Sequence, residues 1–543
     1  MRPTTAASTL ALLSTTQAAL PLLSIAKRDS NLQYTPNAIL RRDGGTVETN
    51  IFDILSYSTG GAYYANVTVG TPPQDQVVIL DTGSSDLYFD ASTAQACEST
   101  GPYSCRGGTF EPKNSSTYFI VDPAPAFNTS FGDGSTAMGP FSEDVVGIGN
   151  VLIQNVQFGV AEKVNSTTGY AIGLMGLGYS ENEAVQQHFY PNMPEVLRDT
   201  GVINSRLYSV YLNDVGAYTG TILFGGIDTT KYTGEIATLD LLPDINTGVV
   251  DQFIQTVTGL AYNNSGKATN LFYGGSPNVQ AYTSTDVALP VLLDTGSSAW
   301  SVPTSYYDKF IAPQFTFVDP QSGLCACSHQ NDDTSLILEF GAKLNITVPI
   351  REFVVPVYNS SSNEPYIVNG QSQCAFMIVP AQPTGQGFQT LGDAILRSMY
   401  IVFDLDQGQV SLAQAKVNGS SSPNVVTVSA GPSGIANAIS TSYSAAPVNT
   451  NSIAPAVQNA TASFSVSTAQ STIGSATGVG AVPADAQVSG GASGTASSSG
   501  SKSSGSSSKG AAAGLVVPGA DFSGVWVVGV SVAMAALGAG LVL

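Results

Sequence analysis

Two copies of one short motif constrain the fold of this 543-residue chain more than any other feature. Each copy is an apolar run that leads into an Asp-Thr-Gly-Ser-Ser turn, at residues 77–85 and 290–298. The apolar approach is strand-like, and the glycine suits a turn where two backbones pass closely. Asp81 and Asp294 lie 294 − 81 = 213 residues apart, which is a domain-sized period. The repeat predicts two related lobes, each supplying one aspartate to a shared cleft.

The residue composition and the net charge restrict the fold class and the kinds of partner expected for this chain. The first 415 residues are rich in Val, Ile, Thr, Tyr and Phe, with glycine at short intervals, which is typical of an all-β protein. The formal net charge is −20 and the pI is about 4.2. A nucleic-acid partner would require a basic face, so the charge argues against one.

The two turns resemble the active-site loops of the pepsin-like aspartic proteases. Three further segments resemble that family in the same order, and the likeness covers roughly residues 55 to 415: 63–74, 171–178 and 391–404. The resemblance implies an all-β, bilobal fold with the active-site cleft between an N-terminal lobe, 43–235, and a C-terminal lobe, 236–415. It also implies a monomer that acts on protein or peptide substrates without a cofactor or metal.

By the same resemblance, Asp81 and Asp294 are the catalytic residues. Two carboxylates about 3 Å apart cannot both ionise cheaply, so the pair holds one proton across the acidic range. The ionised member activates water as a general base, and the protonated member donates toward the scissile carbonyl. The resemblance assigns the base to Asp294 and the acid to Asp81, although the apparent pKa values belong to the pair.

The neighbouring residues of both loops have predicted supporting roles. The glycines let backbone N–H groups approach the carboxylates, and the threonines hydrogen-bond across the lobe interface. Ser84 donates to Asp81, and Ser297 occupies the matching place beside Asp294. The supporting residues are Thr82, Gly83, Ser84, Thr295, Gly296 and Ser297.

A hairpin at residues 128–135 resembles the flap that closes over substrate. Its predicted substrate-binding residues are Phe131, Gly132 and Asp133, together with Tyr88 in the body of the lobe. The family usually has Tyr at the position of Phe131 and Trp at that of Tyr88. We hypothesise a coupled exchange, in which Phe131 caps substrate and the Tyr88 phenol binds the flap backbone or a water. Tyr88→Phe would then impair turnover, unless the flap works without such a bond.

Five cysteines fit an oxidising compartment with two disulfides and one remaining thiol. The family has a small disulfide loop where Cys97 and Cys105 lie. Cys374 has two candidate partners, Cys325 and Cys327, and the resemblance of the sequence after Cys327 favours that residue. The only histidines, His188 and His329, lie in no triad or zinc motif, which argues against Ser-His-Asp and His-based metalloprotease chemistry.

The N-terminus has the features of an export signal, which we place at residues 1–19. Dibasic pairs at 27–28 and 41–42 resemble kexin-type processing sites, so residues 20–42 are interpreted as a propeptide removed by a kexin-like protease. An exported chain can carry N-glycans. The candidate acceptors are Asn66, Asn114, Asn128, Asn165, Asn263, Asn345, Asn359, Asn418 and Asn459.

The C-terminal region differs in character from the rest. Residues 416–523 are rich in Ser, Thr, Ala, Gly and Val, and we interpret them as a disordered stalk, since such a composition buries little apolar surface. Small residues at 508–512, a spacer and the uncharged apolar tail 524–543 fit a GPI-attachment signal. The tail would be exchanged for a lipid anchor at the plasma membrane or cell wall. An uncleaved tail anchor is the alternative.

The full pattern is similar to the yapsins and related fungal enzymes. Yapsins favour basic residues beside the scissile bond, and Asp86, Asp133 and Glu143 are the candidates for negative potential near the cleft. Cleavage between apolar residues is the alternative specificity. A catalytically inactive pepsin-fold binding protein and a structural cell-wall glycoprotein are the alternative functions. Both leave the two intact Asp-Thr-Gly-Ser loops unexplained.

Overall fold

The computed structural model describes most of the two predicted lobes. The described residues are 45–53, 62–98, 104–166, 171–185, 188–217, 219–244, 248–273, 289–341, 344–358, 364–381, 388–419, 422–429, 435, 438–440 and 486–487. The predicted signal peptide, propeptide, GPI-attachment region and apolar tail, with Asn359 and Asn459, lie outside these residues.

The chain is mostly β, which confirms the predicted fold class. The N-terminal lobe contains β1 (Val47–Asp53), β2 (Tyr63–Val69), β3 (Gln74–Asp81), β4 (Leu87–Asp90), β5 (Phe119–Ile120), β6 (Phe127–Phe131), β7 (Thr136–Gly139), β8 (Phe141–Ile148), β9 (Val151–Ala161), β10 (Lys163–Asn165), β11 (Gly173–Gly176), β12 (Leu207–Tyr211), β13 (Thr219–Phe224) and β14 (Gly226–Asp228). Its helices are α1 (Gln95–Glu98) and α2 (Met193–Asp199).

The second half of the chain continues the pattern. Its strands are β15 (Tyr232–Asp240), β16 (Ile254–Asn264), β17 (Lys267–Tyr273), β18 (Leu289–Leu293), β19 (Trp300–Pro303), β20 (Leu324–Ala326), β21 (Thr334–Phe340), β22 (Leu344–Pro349), β23 (Val354–Pro356), β24 (Ile367–Val368), β25 (Gln371–Phe376), β26 (Ile378–Ala381), β27 (Gln389–Leu391), β28 (Met399–Asp404) and β29 (Gln409–Ala415). Its α-helices are α3 (Thr304–Tyr306) and α4 (Asp393–Leu396). Three short strands follow: β30 (Val425–Thr427), β31 (Ile439–Ser440) and β32 (Ala486–Gln487), the last paired with β6.

The two lobes repeat one local topology around the aspartates. In the first, β3 lies between antiparallel β2 and parallel β11, and β11 pairs antiparallel with β4. In the second, β18 lies between antiparallel β16 and parallel β27, and β27 pairs antiparallel with β19. Central strands of this kind are covered on both faces, which explains their continuous apolar runs. Each Asp-Thr-Gly turn therefore begins where a buried strand ends.

One sheet of fourteen strands joins the lobes. Strand β12 pairs with β13 on one side and with β28 on the other, and β28 continues into β29 and β15. The core over this sheet includes stacked aromatic rings from both halves of the chain, such as Tyr208 and Phe403, whose ring centres lie 5.0 Å apart. The lobes are thus fixed to each other through a continuous backbone ladder.

Described residues after Ala415, where the composition predicts the start of the stalk, are paired with the body of the protein. Strand β30 pairs with β14 in a separate two-stranded sheet, and β31 pairs with β15 at the edge of the large sheet. Val428 is 2% exposed in a cluster with Ile227 and Tyr400, and Ile435 packs against the same cluster. The described part of segment 416–440 therefore packs on the body of the protein.

Two disulfides are present among the described residues. Cys97 is bonded to Cys105, and Cys327 is bonded to Cys374. Cys325 is a buried free thiol, and its backbone lies directly opposite Cys374 in the pairing of β20 with β25. Residues directly opposite each other in antiparallel strands have their side chains on the same face, about 4.5–5.5 Å apart at Cβ. Cys325 is therefore placed to pair with Cys374 if Cys327 is removed.

We predict that Cys327→Ser forms the alternative disulfide between Cys325 and Cys374, since the strand register already aligns them. Cys325→Ser should keep the Cys327–Cys374 bond. The measurement is peptide mapping without reduction, with maleimide labelling before and after unfolding. In the native wild type, Cys325 should resist labelling because burial raises its pKa to about 12. Two labelled thiols in unfolded Cys327→Ser protein would contradict the prediction.

The candidate glycosylation sites differ in exposure. Asn66 lies within β2, and its side-chain oxygen is buried. Asn128 and Asn263 are half-buried. The exposed candidates among the described residues are Asn114, Asn165, Asn345 and Asn418.

Within the described part of the chain, no helix has the length and apolar character needed to cross a membrane.

Candidate active site

The two aspartates are buried at the junction of the lobes. Asp81 is the last residue of β3, and Asp294 directly follows β18. Their exposed fractions are 1% and 0%. Because water is largely excluded, charges and hydrogen bonds around these carboxylates act in a low-dielectric environment and are stronger than at the surface.

Reciprocal hydrogen bonds from the two threonines lock the loops together. Thr82 Oγ1 donates to the carbonyl of Leu293 at 2.7 Å and accepts the backbone N–H of Thr295 at 3.0 Å. Thr295 Oγ1 donates to the carbonyl of Leu80 at 2.8 Å and accepts the backbone N–H of Thr82 at 3.1 Å. Each hydroxyl is thus both donor and acceptor across the interface, as the sequence predicted for these residues.

The backbone N–H of the glycine in each turn donates to the aspartate of the same turn. Gly83 N–H donates to Asp81 Oδ1 at 2.7 Å, and Gly296 N–H donates to Asp294 Oδ1 at 2.8 Å. A Cβ atom on Gly83 would lie 2.5 Å from Asp294 Oδ1, so any side chain there would collide with the second carboxylate. Gly83 therefore contacts one carboxylate through its N–H and packs against the other through its Cα.

The serine of each loop supports its own turn. Ser84 Oγ donates to Asp81 Oδ2. Ser297 follows Asp294 in the second loop, and its backbone carbonyl accepts the N–H of Asp393 at 2.8 Å. The main chain of Ser297 therefore connects the second loop to α4.

Backbone hydrogen bonds to neighbouring segments hold each aspartate loop in place. Leu177 N–H donates to the carbonyl of Asp81 at 2.8 Å, and Gly178 N–H donates to that of Ser84 at 2.9 Å. In the other lobe, Asp294 N–H donates to the carbonyl of Leu391 at 3.2 Å. These segments follow β11 and end β27, which are the two stretches whose sequence resembled the family.

A buried ion cluster lies next to the second loop, and the sequence analysis missed it. Arg397 Nε donates to Glu352 Oε2 at 2.8 Å, and both side chains are 3% exposed or less. Charge interactions link this pair to Asp53 of the first lobe and Asp393 of α4. Burial raises the pKa of Asp53 to about 7. The sequence signal that could have revealed this cluster is Arg397, a lone arginine within an apolar run, because arginine is seldom buried unless it is paired.

The flap is a hairpin formed by β6 and β7. Phe131 N–H donates to the Ser135 carbonyl at 2.9 Å, and Gly134 at the tip has φ +83°. Asp133 accepts the N–H and the hydroxyl of Ser135, both at 2.8 Å, so its carboxylate is used within the turn. Gly132 lies between Phe131 and Asp133 in the same turn. The predicted flap residues are therefore together at one tip.

The Tyr88 hydroxyl does not donate to the flap backbone, which was one of its two predicted partners. Tyr88 Oη donates to the carbonyl of Ile172, which precedes β11, at a long 3.4 Å. Its contact with the flap is instead through its ring, whose centre lies 6.3 Å from that of Phe131 and 5.7 Å from that of Phe127. These distances are typical of favourable aromatic pairs. The flap rests on an aromatic surface rather than on a phenolic hydrogen bond.

We therefore predict that Tyr88→Phe keeps kcat and KM within about twofold of wild type, because the long hydrogen bond contributes little. Tyr88→Ala should lower kcat/KM by about tenfold or more through loss of the aromatic support. Steady-state kinetics on one peptide substrate tests both variants. A large defect in Tyr88→Phe would restore the hydrogen-bonding hypothesis.

Asp86 is buried inside the N-terminal lobe rather than exposed to substrate. It is 4% exposed, and its carboxylate accepts the N–H of Ala184 at 2.8 Å and the hydroxyl of Tyr190 at 3.1 Å. Burial raises its pKa to about 6, against the opposing effect of these two hydrogen bonds. Of the three acidic candidates, Asp86 is therefore engaged inside the lobe, whereas Glu143 is half-buried on β8.

The two histidines make local contacts. His188 Nε2 lies 2.7 Å from Gln157 Nε2, and His329 pairs with Asp332 at 2.7 Å. Within the described residues, one cluster combines three potential metal ligands, namely Asp90, Cys97 and Cys105. The two sulfur atoms of that cluster are bonded to each other, so they are not available as thiolate ligands.

Asp90 is a buried carboxyl whose contribution to the free energy of unfolding depends on pH. It is 1% exposed, and neither oxygen has a hydrogen-bond partner. Burial raises its pKa to about 7, from about 3.9 in an unfolded chain. A raised folded-state pKa stabilises the fold fully below the unfolded value, and this stabilisation is lost as pH rises through the folded value. Asp90 therefore favours the folded state in acid and opposes it near neutrality.

We predict that the melting temperature of the wild type falls between about pH 4 and pH 7, and that Asp90→Asn reduces this fall, since the amide stays neutral. The measurement is calorimetry at a series of pH values. Asp199→Asn, at an exposed position on α2, is the matched control and should keep the wild-type slope. Parallel curves for wild type and Asp90→Asn would contradict the prediction.

Comparison with known proteins places this geometry in a family. Residues 62–415 match the family model described as eukaryotic aspartyl protease. The chain is 33% identical over 387 residues to the probable aspartic-type endopeptidase opsB of Aspergillus fumigatus, covering 70% of this chain and 74% of that protein. The Aspergillus oryzae protein of the same name is 35% identical over 384 residues, covering 69% and 73%. Secreted aspartic protease 8 of Candida albicans is 32% identical over 383 residues, covering 70% and 80%.

Proposed function

Because the chain belongs to the eukaryotic aspartyl protease family, we propose that it is an aspartic endopeptidase that uses Asp81 and Asp294 to hydrolyse peptide bonds. The observation that carries the proposal is the pair of Asp-Thr-Gly loops, buried and reciprocally hydrogen-bonded through Thr82 and Thr295. An inactive binding protein has no need for this arrangement, and neither has a structural wall glycoprotein.

The chemistry follows from the shared environment of the two carboxylates. Gly83 donates its N–H to Asp81 and leaves no room for a Cβ beside Asp294, which supports two neighbouring carboxyl groups. Such groups repel each other when both are ionised, so we expect the pair to retain one proton in acid. The ionised group removes a proton from water, which attacks the scissile carbonyl, and the other group protonates the developing oxyanion. Ser84 and the N–H groups of Gly83 and Gly296 hold the carboxylates in position for both transfers. Activity is expected at acidic pH.

The pocket wall beneath the flap favours apolar substrate residues. Phe131 belongs to a cluster with Tyr88, Leu174 and Val185, and Ile79 packs against the same cluster. The carboxylates of Asp86 and Asp133 accept hydrogen bonds within the lobe and within the flap turn, so the groups of this cluster are mainly apolar and aromatic. We therefore expect cleavage beside large apolar residues rather than the basic preference of yapsins.

The cellular setting is proposed from the sequence and the relatives. The export signal, the dibasic sites at 27–28 and 41–42 and the C-terminal signal support a secreted zymogen, processed by a kexin-like protease and held at the cell surface by a GPI anchor. The relatives include a secreted aspartic protease. We expect the mature enzyme to act as a monomer on extracellular proteins and peptides.

Asp294→Asn should lower kcat on a peptide substrate by about three orders of magnitude or more, because the dyad can no longer share a proton. The full chain, secreted from a yeast host and processed after residue 42, would be assayed between about pH 2.5 and 7 on an unbiased peptide mixture, with and without pepstatin. Asp199→Asn serves as the control for an exposed carboxyl. The cut sites report the specificity.

Cleavage that persists in Asp294→Asn would contradict the proposed dyad. A processed wild type that cleaves no peptide at any pH, but still binds pepstatin, would favour the binding-protein alternative. A processed chain with neither property would favour the structural glycoprotein.

A further inference from the structure

A cluster of buried polar groups lies directly behind the first aspartate loop, outside the catalytic pair. Asp86 is the second residue after Ser84 in the chain, and it receives two hydrogen bonds from a segment about a hundred residues later. The donors are the N–H of Ala184 and the hydroxyl of Tyr190. Glu183, which is 0% exposed, accepts the N–H of Tyr190 at 3.0 Å. Ala184 and Tyr190 are thus both bound by buried carboxylates.

The Tyr190 hydroxyl connects this segment to the loop on both sides of one peptide unit. It donates to Asp86 Oδ1 at 3.1 Å and accepts the backbone N–H of Leu87 at 3.1 Å. The side chain is 4% exposed, so water does not readily replace either bond. The Tyr190 hydroxyl is therefore one support of the loop exit, together with the N–H of Gly176, which donates to the carbonyl of Asp86 at 2.8 Å.

The same segment supports the flap. Val185 and Tyr190 belong to the apolar cluster that contains Tyr88, Phe127 and Phe131. A displacement of the segment would therefore move the surface on which the flap packs. It would also remove the two hydrogen bonds that Asp86 accepts at the exit of the loop that carries Asp81.

We propose that Asp86 and Tyr190 are a positioning pair, which fixes the first aspartate loop relative to the wall beneath the flap without contacting substrate. This inference rests on the proposed function, because it concerns the geometry in which Asp81 acts. Catalytic groups need support that keeps them within a fraction of an ångström of the productive arrangement. The effect of losing the pair should fall on the chemical step rather than on substrate binding.

The decisive variant is Tyr190→Phe, which removes the hydroxyl and keeps the ring and the N–H bond to Glu183. Tyr400→Phe is the matched control. Tyr400 is also buried, and its hydroxyl also accepts a backbone N–H, from Asp228 at 2.7 Å, and donates to a side chain, Ser209 Oγ at 2.9 Å. This pair of bonds lies on the interlobe sheet, away from the aspartate loops.

We expect Tyr190→Phe to lower kcat by about tenfold with KM within about twofold of wild type. Tyr400→Phe should lose a similar amount of melting temperature and keep the wild-type kcat. Asp86→Asn should add little to the defect when combined with Tyr190→Phe, because the two residues act as one unit. Wild-type kcat in Tyr190→Phe, or an equal loss in both tyrosine variants, would overturn the proposal.

Hydrogen exchange of the full chain gives a readout that does not depend on activity. Peptides covering 81–90 and 183–190 should exchange faster in Tyr190→Phe than in wild type. In Tyr400→Phe their exchange rates should equal those of the wild type. Unchanged exchange in Tyr190→Phe would overturn the positioning role even if activity fell. If the wild type cleaved no peptide, the proposed function would fail, and the exchange data would still decide whether the pair holds the loop.

Discussion

The arrangement of the active site depends on two threonine hydroxyls that cross the lobe interface. Thr82 and Thr295 each donate to a carbonyl and accept an N–H from the opposite loop. Both are 2% exposed, so breaking one of these bonds would leave buried polar groups unpaired. Two carboxylates that repel each other can stay adjacent only if their backbones are held by interactions of this kind. The interlobe sheet and the segments behind each loop extend the same constraint outward.

The buried ionisable groups of this chain make both its stability and the proposed reaction depend on pH. The proposed two-aspartate mechanism needs a retained proton, and structural carboxyls such as Asp53 and Asp90 also retain one in acid because burial raises their pKa to about 7. Arg397 is a buried cation that offsets part of the negative charge at the junction of the lobes. We therefore expect acidic conditions to favour both the fold and the proposed reaction. A net charge of −20 adds general repulsion as carboxyls ionise.

The sequence predicted what its repeats encode locally: two lobes, strand-to-turn transitions at Asp81 and Asp294, and the crossing threonines. It could not predict contacts that depend on distant segments meeting. Asp86 binds residues 98 and 104 positions away, and a motif carries no information about them. Tyr88 was assigned a flap partner because local spacing cannot tell which carbonyl a hydroxyl reaches. Average composition also hides isolated residues such as Val428, which is buried although it lies in the range assigned to the stalk.

The packed segment after Ala415 has a mechanical consequence. A force applied through the C-terminus reaches the pairing of β32 with β6 first, then that of β31 with β15 and that of β30 with β14. These ladders have two, two and three residue pairs, so we expect them to detach at low load. The long pairings of β28 with β12 and β29 would then still be intact. If the proposed GPI anchor transmits such a force, the C-terminal segment would lengthen before the catalytic lobes are deformed.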